Sequence, residues 1–164
     1  MSSAAVPWTR RLPVDQALAL GAGLLRAVAV VAIVRGRAEW SGLPPAIVVH
    51  LVAVMPALAL TPVMLLRRKG DRLHRGLGML WVALMAIVAA SSFFIRILGH
   101  GHLFWIHLIS AFTLVQLPRI VIFARRHEVA RHEAAVRGMV SGALLIAGVF
   151  TFPFGRMLGT WLGL

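Results

Sequence analysis

The chain has 164 residues, 60% of them hydrophobic, and a formal net charge of +12. Soluble domains run at about 45–50% apolar residues, so an ordinary soluble globule is excluded. The basic residues are confined to short clusters between apolar runs, which speaks against a nucleic-acid surface. Cysteine and tyrosine are both absent, which excludes disulfides, thiolate metal sites, thioether-attached haem and a tyrosyl redox relay.

Apolar runs of about twenty residues, the length needed to cross a bilayer, recur along the chain. They predict an all-α fold: one polytopic membrane helical bundle over residues 1–164, with about five transmembrane helices. The first and weakest span covers Val14 to Val34. Arg10 and Arg11 precede it, Arg26 interrupts it, and Arg35-Gly36-Arg37 offers no small-residue cleavage site. A retained helix, or one lying partly in the interface, is therefore expected rather than a signal peptide.

Pro44 and Pro45 open the second span, because proline suits the first turn of a helix. It continues to Leu66 and contains Pro56 and Pro62, which should kink it. Gly70-Asp71 breaks and caps the chain. The third span runs from Arg72 to Leu98, and Gly99 to Gly101 makes a turn. The fourth runs from His102 to Ala124 with Pro118 late in it. The fifth runs from Val129 to Phe152 and carries Gly138, Gly142 and Gly148. Pro153, Phe154 and Gly155 end it, and residues 153–164, with Arg156 and Trp161, read as an interfacial tail.

Arg67, Arg68, Lys69, Arg72 and Arg75 form one basic cluster; Arg125, Arg126, Arg131 and Arg137 form another. The positive-inside rule puts both in the cytoplasm, giving a cytoplasmic N-terminus, an outer C-terminus and anionic membrane lipid as the partner of these clusters.

Residues 44–98 and 102–152 read as two repeated helix pairs forming a four-helix core. His50-Leu51-Val52 matches His107-Leu108-Ile109, Pro62 matches Pro118, and Arg67-Arg68 matches Arg125-Arg126. His74 and His132 follow in the next helices, at nearly the same spacing. Such a repeat implies a pseudo-two-fold axis along the membrane normal. On the diagonals of a four-helix bundle, His50 would then face His107 near the outer surface, and His74 would face His132 near the cytoplasmic one.

An ionisable side chain inside a membrane is by default a pointer to function. Facing histidines suit the two axial positions of a haem iron. Haem b, up to two per chain, is the expected cofactor, with His50, His107, His74 and His132 as iron ligands. Gly76, Gly78, Gly138 and Gly142 would make room for the macrocycle, and Arg75 and Arg137 would meet the propionates. Zinc is disfavoured because no cysteine or acid lies near His50 or His107 to complete a tetrahedral set. The competing account of the histidines is interhelical hydrogen bonding for the outer pair and head-group contact for the cytoplasmic pair. His100, His102 and His127 read as loop residues.

No H-E-x-x-H, G-x-S-x-G, P-loop or Gly-rich dinucleotide motif occurs. The chain has five carboxylates, and none falls mid-span, which weakens a carboxylate-driven transporter.

His74-Arg75-Gly76-Leu77-Gly78, His107-Leu108-Ile109-Ser110, His132 ahead of Arg137-Gly138, and Ala147-Gly148-Val149-Phe150-Thr151-Phe152 resemble the bacterial membrane proteins of domain-of-unknown-function family 2306. The resemblance covers about residues 45–157, and it implies a multi-pass inner-membrane protein without bringing an activity. The family's Pro-Gly-Arg turn is interrupted here by Phe154. The order of the histidines is also similar to that in two-haem cytochromes of the b-561 type, which implies transmembrane electron transfer. The leading functional expectation is a haem-b electron carrier, exchanging electrons with quinone. The alternatives are a cofactor-free accessory or assembly subunit of a larger membrane complex, and a small-molecule permease lined by the proline-kinked helices.

Overall fold

The computed structural model describes residues 13–95 and 105–164. Its described part is helical, without strands. Helix α1 spans Pro13–Arg35 and runs into a 3₁₀ turn, Gly36–Gly42; α2 spans Pro45–Leu66, α3 Arg72–Ser92 and α4 Trp105–Arg125. Helix α5, Val129–Met139, passes through a π segment, Val140–Ile146, into the short α6, Ala147–Val149. Helix α7 spans Met157–Leu162. Four of these helical stretches are long and apolar enough to cross a membrane: Pro13–Gly42, Pro45–Leu66, Arg72–Ser92 and His107–Arg125. The expected fifth span is divided, because the π segment ends the regular α-helix after 11 residues.

Local chemistry sets the helix ends. Pro45 occupies the first turn of α2, where its missing N–H has no intrahelical partner to lose. Gly70 adopts φ +86°, and the Asp71 carboxylate caps α3 by accepting from the His74 backbone N–H at 2.6 Å. Helix α3 closes at Ser92, short of the expected Leu98. There Ser91 Oγ donates to the Val88 carbonyl and Ser92 Oγ to that of Ala89, hydroxyl bonds that compete with the helical ladder. Residues 96–104, including His100, His102 and the start of the expected fourth span, lie outside the described residues.

The His74 backbone N–H and then the Arg67 guanidinium hold the Asp71 carboxyl below its ordinary value of 3.8. A depressed folded-state pKa stabilises the fold above the unfolded value, and that contribution disappears as pH falls through the folded one. The melting-temperature gap between the native chain and Asp71→Asn, which keeps a cap but not the charge, should shrink from pH 7 to pH 3. A gap independent of pH would show that the charge is idle.

Packing follows the chain: α1 on α2, α2 on α3, α3 on α4 and α4 on α5, with the π segment returning to α1 and α4. Helix α1 is therefore an integral member of the bundle, not an interfacial adjunct. Its alanines bring the backbone close to its neighbours, and Ala19, Ala22 and Leu25 join Ala57, Leu58, Trp81, Met85 and Leu117 in the core. Arg26 is exposed on the outer side of α1. Leu24, Val52 and Leu108 stay more than 65% exposed, as expected of side chains that meet lipid rather than water.

The C-terminal segment docks onto the bundle. Trp161 and Leu158 are buried with Ala32, and Arg35 Nη1 donates to the Leu162 carbonyl at 3.1 Å. The Trp161 indole lies where a Cβ on Gly36 would sit, and the Phe152 carbonyl oxygen lies 1.7 Å from a Cβ built on Gly159. Trp161 thus packs against the bundle. Gly159→Ala should displace α7 and cost about 2 kcal/mol, as overpacking against backbone does. Faster tryptic cleavage at Arg156 would report it, and an unchanged cleavage rate would contradict the tight docking.

Candidate functional site

Contacts at one end of the bundle join α1, the α2–α3 connection and α5. Asp15, in the first turn of α1, is 1% exposed. Arg137 grips its carboxylate with two donors, Nε at 2.7 Å from Oδ1 and Nη2 at 3.2 Å from Oδ2. Lys69 Nζ donates to Asp15 Oδ2 at 3.0 Å and to Glu133 Oε1 at 2.9 Å. Arg137 Nη2 closes the ring on Glu133 Oε2 at 3.1 Å. Two cations and two carboxylates thus balance one another at the end of an apolar bundle, the condition under which buried charge is tolerated.

This network forms one side of a cavity of about 600 Å³ between α2, α3, α4 and α5, within the size range of small-molecule and cofactor sites. Helical periodicity delivers its lining. His74, Gly78, Trp81 and Val82 share one face of α3, and Val129, His132 and Val136 share one face of α5, with Val140 of the π segment beyond them. The floor is a relay across two helices. Trp81 Nε1 donates to Thr61 Oγ1 at 3.0 Å, and that hydroxyl donates to the Ala57 carbonyl at 2.8 Å. Arg75 and Arg125 are exposed side chains at the rim, as is His127.

His74 and His132 therefore both line one cavity. His132 Nδ1 is 3.0 Å from the Ile120 carbonyl. A carbonyl only accepts, so Nδ1 donates the proton in this hydrogen bond. His74 Nδ1 is buried and has no hydrogen-bond partner among the described residues, a state that costs free energy until something binds it.

The other two matched histidines are arranged differently. His50 turns to α3, its Nδ1 3.1 Å from both the Val88 carbonyl and Ser91 Oγ. His107 is buried, and its ring packs on Phe93 with centroids 5.8 Å apart. Ser92 and Ser110 join α3 to α4 through their hydroxyls. His50 thus contacts α3, and His107 packs on Phe93, the residue that follows α3. No cluster of three or more histidine or acidic side chains able to hold a metal ion occurs among the described residues.

Two expectations about the surroundings also change. Arg137, expected to meet a propionate, is committed to Asp15 and Glu133. Of the four glycines expected beside a ligand, Gly78 lines the cavity, whereas Gly76, Gly138 and Gly142 border open space. Sequence reasoning missed Asp15, Lys69 and Glu133 as site residues. The available signal was scarcity: five carboxylates among 17 lysines and arginines, one of them opening an apolar helix. Comparison with family models, curated proteins and solved structures returned no match.

Proposed function

We propose that the cavity binds one b-type haem with His74 and His132 as axial ligands, and that the chain is an electron carrier in a bacterial inner membrane, with quinone as its redox partner. The observation that carries this reading is the meeting of two histidines from separate helices in one cavity of cofactor size. Bound haem would supply one-electron redox chemistry. The hydrogen bond from His132 Nδ1–H to the Ile120 carbonyl fixes the ring's tautomer and orientation and raises the basicity of Nε2. The buried Nδ1 of His74 lacks a hydrogen-bond partner among the described residues, and ligation through that nitrogen would satisfy it. Arg75 stands at the rim, where carboxylate side groups of a macrocycle would emerge. The Trp81–Thr61 contact forms the floor of this cavity.

In this reading the basic connections 67–75 and 125–131 face the cytoplasm. Asp15, Lys69 and Arg137 meet at one end of the bundle, while Arg35 meets Leu162 at the other. The described chain thus begins at the basic end and finishes at the opposite one, in keeping with a cytoplasmic N-terminus and an outer C-terminus. The test is a reduced-minus-oxidised optical spectrum of protein purified in mild detergent from haem-replete cells. Sharp b-type α and Soret bands are expected. A colourless protein would overturn the proposal and favour a cofactor-free subunit of a larger complex.

A further inference from the structure

A second cavity, about 560 Å³, opens on the outside of the α4–α5 seam. It lies across Phe123 from the histidine cavity, since that residue lines both. Gln116, Arg119 and Phe123 come from successive turns of α4, and Arg131, Ala134 and Ala135 from one face of α5. The two guanidinium carbons lie 6.0 Å (Arg119) and 5.9 Å (Arg131) from the centroid of the Phe123 ring. One aromatic ring therefore organises two cations around a single groove. Arg131 also donates to Glu128 at 2.8 Å, whereas Arg119 makes no ion pair among the described residues. Arg119 lies six residues inside the end of α4, about 9 Å along the helix axis, and is exposed on its outer face.

A cation at that depth on a membrane-facing surface is costly unless something anionic meets it. Basic pockets between membrane helices suit anionic head groups, and the apolar continuation of a groove suits acyl chains. We propose that the α4–α5 groove is a specific site for an anionic phospholipid. Arg119 and Arg131 hold its phosphate, Gln116 one turn deeper bonds the glycerol esters, and the chains lie against Ala134 and Ala135. The site is independent of the haem proposal, because its polar groups project outside the bundle.

Native mass spectrometry tests it on the full-length protein released from nanodiscs of equimolar phosphatidylglycerol and phosphatidylcholine. The native chain should retain phosphatidylglycerol over phosphatidylcholine by about tenfold, and Arg119→Gln/Arg131→Gln should bring the ratio near unity. Arg26→Gln, which removes an exposed arginine outside the groove, should leave the ratio unchanged. Equal retention of the two lipids by the native chain would overturn the proposal whether or not the double variant folds. So would an Arg26→Gln effect as large as that of the double variant, which would indicate net charge alone. Displacement of the bound lipid by millimolar inorganic phosphate would reassign the groove to a free anion, also against the proposal.

Discussion

Asp15→Ala should destabilise the detergent-solubilised bundle by about 3 kcal/mol, near the lower end of the cost of breaking a buried ion pair. The carboxylate is 1% exposed, and its two cationic partners, Lys69 and Arg137, keep 28% and 22% of their side chains accessible. Water therefore compensates the stranded cations in part but not fully. The loss falls where α1, the α2–α3 connection and α5 meet, so the variant should also loosen the histidine cavity. Asp15→Asn should be milder, since its amide oxygen still accepts a hydrogen bond. In a double-mutant cycle, Lys69→Met should recover part of the loss, with a coupling of at least about 1 kcal/mol for charges in direct contact. Additive effects in denaturant or thermal unfolding would show that the network stores no coupling.

The histidines should separate into two classes when replaced. Under the proposed function, His132→Ala and His74→Ala should each lower haem incorporation and alter the spectrum, because each would remove one of the two imidazoles proposed to hold the iron. His50→Ala should leave haem content within about twofold and lower stability by about 1 kcal/mol, the typical net value of one hydrogen bond. His107→Ala should leave the spectrum in place and weaken packing against Phe93. A result with the classes reversed would put the functional centre at the opposite end of the bundle. Gly78→Leu, placed on the cavity lining but touching neither histidine ring by a bond, should reduce haem incorporation through bulk alone.

The parts of the fold read from local pattern agree with the structure. The apolar runs mark α1 to α4 to within a few residues, and Pro45, Gly70 and Asp71 act where their backbone and capping chemistry says they should. The histidine spacing brought His74 and His132 into one cavity because both belong to first turns of helices that start at the same end. Features that depend on distant residues were not legible. Asp15 and Arg137 are 122 positions apart, so no window of sequence shows that Arg137 is already occupied. The π segment that follows α5 packs against α1 and α4, partners far from it in sequence.

The central claim, one haem held by the inner histidine pair, is tested most directly by the haem-to-protein ratio of the purified native chain, measured beside His74→Ala/His132→Ala. A ratio near one that falls to near zero in the double variant is the expected result. No haem in the native chain, or a ratio that survives loss of both histidines, would contradict it.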